Sequence, residues 1–460
     1  MHLLKFQTTS LTARNVFFIL FSLGIFLYFQ GLFSPLYLDD KEIFGVIAPT
    51  FFMSTIDPSK VFHYWPTRFI PCYSFSLNYY LFANNIFYFH LFNLLLHIAS
   101  SFLVFLISRE LIKKTDTTID INLFSFCVSF LFLCHPLQSQ ATVYIWQRIE
   151  LFAGFFELLT IFLFILTLIK SSRTTYFFAI LSMIFGVLSK ETVAVVPFIL
   201  TYIMLVFFPE KNKKINYLAP FFGILAYYPI LLLFKGREAL VHSSEVWGDH
   251  RLNVIEYFLT QANVIFTYLR LYLFPLNQVF EYDYPLTMEL TLTTFFKAII
   301  LILLFILSFT LRKKLKIVAF GLFIFFINLS ITSTFIPIID VIWEHRMYSS
   351  LFGLNLVFIF ILFKFCPNKM NVFLPLLIFI FLVLTYQRVS LWANEELFMK
   401  DNLAKAPHKQ RLATSLAYYY FDNNKIKESE EILQHLAKHY NKTKYFFQAN
   451  IKLGEIYFNI

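Results

Sequence analysis

Asp39 and Asp40 stand side by side with Glu42 two residues on. A carboxylate at a membrane surface, partly desolvated and beside a second acid, has its pKa raised toward the range of a general base for a hydroxyl. A solvated capping cluster neutralised by Lys41 is the plainer alternative. Cations recur downstream at Arg68, at Gln147-Arg148 with Glu150 beside them, at Lys190-Glu191 and at Glu344-His345-Arg346. Arg and Lys hold phosphate by charge-assisted, sometimes bidentate hydrogen bonds. Taken singly, each is explained by snorkelling to lipid headgroups. Their convergence on one side of a membrane points instead to an anionic ligand bound between Arg68, Arg148, Lys190, His345 and Arg346.

Other polar residues sit within apolar runs. His90, Asn93 and His97 share one helical face, and His135-Pro136 closes a run, while Glu157 is the one acid well inside a run. Such a stripe contacts a lipid-linked ligand or serves as interhelical hydrogen-bonding glue. No Cys or carboxylate shares that face at ligand spacing, so no metal site is assigned. The two neighbouring acids could hold a divalent cation weakly. Cys72, Cys127, Cys134 and Cys366 form no C-x-x-C pair, and no P-loop, dinucleotide fingerprint or nucleophile elbow occurs.

The elements that position these residues follow from composition. In 460 residues, charged side chains make up 14%, hydrophobic ones 58%, and Phe occurs 63 times. A soluble protein carries roughly 25% charge, so the chain reads as a polytopic membrane protein. Collagen-like, disordered and disulfide-scaffold classes are excluded. The net charge of +10 lies in short loops, where it sets orientation and gives no reason to expect nucleic acid. With about 20 residues needed per span, apolar runs predict about eleven transmembrane helices, the first an uncleaved span near Val16 to Phe33. Placing the N-terminus in the cytoplasm collects Arg109, Lys113, Lys114, Lys211 to Lys214 and Arg312 to Lys316 on the inner side. That count fails if the interrupted run Tyr257 to Phe274 also crosses. That run is therefore a non-crossing segment in a long outer loop, 235–293. The first outer loop, 34–80, and the C-terminus then both lie outside.

A polytopic domain over 1–389 is followed by a distinct tail, 390–460. Arg411 to Phe421, the turn Asp422-Asn423-Asn424 and Lys425 to Tyr440 predict a helical hairpin in which Leu412, Leu416, Tyr419 and Tyr420 face Ile426, Ile432, Leu433 and Leu436. This is one tetratricopeptide-like (TPR-like) unit with partial neighbours, too short to stand alone. It is expected to pack on the outer face or on a protein partner.

Tyr37-Leu-Asp39-Asp40, Arg68 to Asn78, His90-Leu-Phe-Asn93-Leu-Leu-Leu-His97, His135 through Gln147-Arg148, Ser189-Lys190-Glu191-Thr, Phe274-Pro-Leu-Asn with Tyr282-Asp283, and Glu344-His345-Arg346-Met-Tyr348 come in an order that resembles the GT-C-type membrane glycosyltransferases carrying tetratricopeptide repeats. These include TMTC-type protein O-mannosyltransferases and their bacterial relatives. The resemblance implies inverting transfer of one sugar from a polyprenyl-phosphate donor to a protein or glycan hydroxyl on the outer face. Asp39 or Asp40 would then be the base, and the outer cations the donor-phosphate clamp. Glu42, His90, Asn93, His97, His135, Gln147, Glu191 and Glu344 would be supporting residues. The bacterial-type motifs imply an inner-membrane protein with a periplasmic C-terminus. Three rival classes are weighed. A transporter or flippase wants related halves and charged midplane helices, which are lacking. An oligosaccharide ligase or polymerase using a polyprenyl-diphosphate donor concentrates its cations in one late outer loop. A non-catalytic scaffold would act through the tail alone.

Overall fold

The computed structural model describes residues 11–44, 56–115, 118–235, 253–333, 337–338, 340–440 and 443–458. Among them every regular element is a helix and no strand occurs. Among the described residues, five helices are long and apolar enough to cross a membrane: Ile86–Ile112, Ile145–Lys170, Lys214–Phe234, Leu292–Lys313 and Val372–Trp392. Six of the expected spans are shorter apolar helices, Ala13–Tyr28, Ile121–Cys134, Arg173–Val187, Glu191–Phe207, Lys316–Leu329 and Ser350–Phe365. At 1.5 Å per residue, helices of that length cover roughly 21–26 Å, less than the ~30 Å hydrocarbon core. Apolar composition ran past the helix ends because neighbouring turns are apolar as well. The third long run is itself interrupted at Leu225 and Ala226, between helices Ala219–Ile224 and Tyr227–Lys235. Pro229 has no N–H to give the Leu225 carbonyl, which ends the first helix there.

Val254–Leu273, the interrupted run, begins with a capping box made by Asn253 and Glu256. It is not among the five apolar helices. Its polar residues turn inward onto chain rather than lipid. Gln261 Nε2 donates to the Val341 carbonyl at 2.8 Å, and the hydroxyls of Tyr257 and Tyr268 donate to the Thr332 and Trp343 carbonyls. Asn263 Nδ2 donates to Thr287 and Thr294, and its Oδ1 accepts from Lys297. Gln261 and Asn263 therefore have partners within the chain, which is how an apolar setting tolerates them, whereas Arg270 is exposed.

Lys316–Leu329 crosses Ser350–Phe365 closely at two glycines. A Cβ on Gly321 would stand 2.5 Å from the Gly353 carbonyl oxygen, and one on Gly353 would strike Gly321 in return. Small residues at a crossing let two backbones approach where apolar lipid gives helices no hydrophobic reason to associate.

The helix Met370–Trp392 runs through the expected boundary at residue 390, and Glu395–Lys405, Gln410–Asp422, Ile426–His439 and Lys444–Phe458 follow it. Asn424, in the hairpin turn, takes a φ of 59°, which Asn adopts readily. The hairpin packs differently from its sequence pattern. Leu412, Leu416 and Tyr420 join the main core, whereas Ala417, with Ala413 and Phe421, meets Leu433 and Leu436. Leu412, Leu416 and Tyr420 thus share a cluster with Phe398 and Met399 of the preceding helix Glu395–Lys405, and the opposite face receives the second helix.

Gly353→Ala should lower the apparent melting temperature, the cost being about 1–3 kcal/mol for an overpacked contact. Wild-type thermal stability in that variant would show that the two helices separate freely at this point.

Candidate functional site

The acid pair is placed by a strained turn. Leu38 has a φ of 39° while buried at 5% exposure. A non-glycine residue held left-handed costs about 1–3 kcal/mol and persists only where surrounding structure fixes it. Here the Asp40 and Lys41 amides donate to the Tyr37 and Leu38 carbonyls at 2.7 and 3.0 Å, opening the short helix Asp39–Phe44. Asp40 is fully buried, and its carboxylate accepts from the amides of Trp146 (2.8 Å) and Tyr37 (3.3 Å). Burial pushes its carboxyl well above the ordinary value of 3.8 despite those amides. Asp39 keeps 31% of its side chain exposed. The hydroxyl of Tyr144 donates to its Oδ2 at 2.8 Å, and Arg411 donates to its Oδ1. Glu42 has its side chain outside the described residues.

A second group forms around His345. Its backbone N–H and Nδ1 both point at Gln140 Oε1, at 2.8 and 3.2 Å, while Gln140 Nε2 donates to the Phe280 carbonyl. A carbonyl oxygen only accepts, so the His345 proton sits on Nδ1. Burial, and then the charges of Lys190, Arg346 and Arg68, hold this imidazole well below its usual pKa. Of the expected cations, Lys190 and Arg346 line one cleft, and Arg68 lies within electrostatic range of the same imidazole. Arg346 Nη1 and Arg68 Nε are buried with no hydrogen-bond partner. Lys190 pairs with Glu150, both nearly buried, and Arg68 lies 3.7 Å from Glu191. A small polar cleft is lined by Glu150, Glu157, Lys190, Thr192, Asn328, Thr332, Arg346 and Ser349. Glu157, also in that lining, accepts from Asn328 Nδ2 at 3.0 Å.

Arg148 does not join this cluster. It is fully buried, and its guanidinium donates to Asn93 Oδ1 (2.8 Å), Asn78 Oδ1 (3.0 Å), the Phe89 carbonyl (2.9 Å) and both oxygens of Ser74. The rings of Phe75 and Phe92 lie 4.4 and 4.6 Å from its centre. With its nitrogens engaged and aromatic faces around it, Arg148 braces the helices. The polar stripe does the same work. His90 Nε2 contacts the Ser34 carbonyl, Asn93 bridges Arg148 and the Ile145 carbonyl, and His97 joins Tyr348 Oη to the Leu133 carbonyl. His135 Nε2 meets the Tyr272 carbonyl, and Gln147 is buried in the turn before Arg148. Glu344, fully buried, accepts from Gln278 Nε2, the Val279 amide and the Tyr282 hydroxyl at 2.7–2.8 Å, and burial raises its pKa. It pins the loop after Val254–Leu273 to the His345 turn.

The two groups share one segment. Helix Gln138–Val143 carries Gln140 under His345. Its cap Tyr144 reaches Asp39, and the next turn presents Trp146 to Asp40 and leads into Arg148. Gln140 and Tyr144 are one helical turn apart, so the acids and the cations are held from a single short scaffold. Sequence reasoning missed Gln140 and Tyr144, although both lie inside the stretch His135 to Arg148. It missed Arg411 too, for which no local spacing offers a signal. Among the described residues no group of three or more His, Cys, Asp and Glu side chains is arranged to hold a metal ion.

A protein O-mannosyl-transferase of Caenorhabditis elegans is 23% identical to this chain over 447 residues, 91% of the chain and 61% of that protein. The chain thus spans about three fifths of the length of the curated relative it matches. No family model matches, and no solved structure does.

Removing one partner from a buried ion pair leaves the other charge uncompensated, at about 3–5 kcal/mol. Glu150→Gln alone should therefore destabilise the fold far more than Glu150→Gln with Lys190→Met. Additive losses in thermal or denaturant unfolding would mean that the two do not form a buried pair. Asp40 supplies a pH test. The folded chain binds its proton more tightly than the unfolded chain, so stability is greatest below the ordinary carboxylate range and falls as pH rises from about 4 toward the raised value. The drop in apparent melting temperature between pH 4 and 7 should shrink in Asp40→Asn, and an undiminished drop would remove Asp40 as its cause.

Proposed function

We propose that the chain is a membrane glycosyltransferase that moves one sugar from a polyprenyl-phosphate donor to an acceptor hydroxyl on a protein or glycan. The observation that carries it is the cation cluster at the cleft, with a buried Arg346 donor lacking a partner, held by the segment that also holds Asp39 and Asp40. The similarity to a protein O-mannosyl-transferase supports the same class. In this reading the N-terminus is cytoplasmic, and the first loop and the TPR-like tail are periplasmic on a bacterial inner membrane, where a lipid-linked donor presents its headgroup.

Asp39 is the base. Asp40 is fully enclosed with its oxygens on backbone amides, so it shapes the turn, whereas the Asp39 carboxylate is the partly exposed one. The acceptor oxygen bonds the anomeric carbon while its proton passes to Asp39, and the bond from that carbon to the phosphate oxygen breaks. One displacement inverts the configuration. Arg346 and Lys190, with Arg68 behind them, receive the charge that develops on the departing phosphate. Preorganised donors in a water-poor setting are worth most at such a place. His345, kept neutral, adds no further positive charge, and Glu344 and Gln140 fix its turn.

The test is sugar transfer from a panel of polyprenyl-phosphate monosaccharides by purified protein. Asp39→Asn, at wild-type yield and melting behaviour, should lose about 10²- to 10⁴-fold in turnover, the range for a general base. Arg346→Ala should raise donor KM by about tenfold or more, as expected for a hydrogen bond to a charged group. Full turnover in Asp39→Asn would show that another group is the base. Silence with every monophosphate donor would favour a polyprenyl-diphosphate ligase, or a scaffold acting through the tail.

A further inference from the structure

Both oxygens of Asp39 are taken, from opposite directions. Tyr144 holds Oδ2 from inside, itself fully buried, with Phe280 4.9 Å away ring to ring. Arg411 holds Oδ1 from the tail and is 23% exposed. Each carboxylate oxygen keeps a second lone pair, but the core closes the inner approach, so an acceptor hydroxyl reaches Asp39 from the side that Arg411 holds, and of the two partners only Arg411 can give way without opening the core.

The tail is anchored without Arg411. Tyr37 Oη donates to the Trp392 carbonyl at 2.6 Å, Lys41 pairs with Glu395 at 2.6 Å, and Asn402 Oδ1 accepts from the Phe280 amide. A local shift at the start of Gln410–Asp422 therefore suffices. An alternative berth stands beside it. Glu281 is 8% exposed with a buried Oε2 that has no hydrogen-bond partner. Lys409, two residues before Arg411, already lies 3.8 Å from its other oxygen, and Arg411 is within its electrostatic range.

We propose that Arg411 is a positioning residue of the acceptor site, contributed by the tail: its guanidinium occupies the Asp39 face that the acceptor hydroxyl must reach, and acceptor binding transfers it toward Glu281. The proposal rests on the assignment of Asp39 as the base. It makes the tail part of the site and gives it control over when the base is available.

The experiment pairs a chemical readout with a kinetic one in the full-length protein. Carbodiimide coupling of an amine to carboxylates, read at Asp39 by mass spectrometry, should rise several-fold in Arg411→Ala. It should stay near wild type in Arg411→Lys, which keeps a cation there. In the transfer assay Arg411→Ala should lower acceptor KM about three- to fivefold, the scale of a partly exposed charged pair, with donor KM unchanged. Unchanged Asp39 labelling in Arg411→Ala overturns the proposal whatever the activity. So does a fall in kcat with both KM values unchanged, which is what a purely structural role would give. Raised labelling in a chain that transfers no sugar from any donor overturns the base assignment, and the proposal with it.

Discussion

The site depends on a guanidinium buried with no carboxylate among its hydrogen-bond partners. An isolated charge in an apolar interior is prohibitive unless hydrogen bonds replace its water, and Arg148 obtains these from Asn93, Asn78, Ser74 and the Phe89 carbonyl, with aromatic faces around the plane. To supply them, the helices Phe69–Phe82 and Ile86–Ile112 must meet the start of Arg148–Lys170 at one point. That meeting fixes the turn Ile145–Gln147, and the turn in turn fixes where Tyr144 and Trp146 meet the acid pair. Asn78, Asn93 and Arg148 are thus one device with three parts, and the loss of any one would leave a buried polar group stranded.

Aromatic packing does the corresponding work between the membrane helices and the tail. Tyr37, Tyr144, Phe280, Trp392 and Phe398 form one cluster, with Trp392 and Phe398 ring centres 4.2 Å apart and Tyr37 and Phe398 4.6 Å apart. The cluster collects the first loop, the segment before Arg148, the loop after Val254–Leu273 and the tail. Because Tyr37 and Tyr144 belong both to this cluster and to the turn around the acids, the position of the tail and the geometry of the acids cannot vary independently.

Much of this was legible in the sequence, because its signal is local. The helical class follows from apolar composition, and the hairpin from a 3.6-residue period broken at Asp422-Asn423-Asn424. The shared cleft of Lys190 and Arg346 could be read as cations lying where an orientation rule did not require them. Arg148 has the same sequence signature as those two, yet it is a brace. What separates them is whether Asn and Ser carbonyls and hydroxyls from other helices arrive to fill its donors, and spacing does not encode that. The face of Gln410–Asp422 was misassigned for a related reason. Leu412 and Leu416 are apolar whether they pack on the next helix or on the preceding one, and period alone does not choose between two apolar neighbours.

The contact between Asp39 and Arg411 joins residues 372 positions apart. Chains are synthesised at about 5–20 residues per second, so the acid is made roughly 20–75 s before the cation that covers it. Tyr144 and Trp146, which hold the pair from inside, follow the acids they touch by only 105 and 106 positions, so that side of the cradle is made well before the side that Arg411 closes. The contact that covers Asp39 therefore follows those that hold it from inside, which makes synthesis of the tail a step in the maturation of the site.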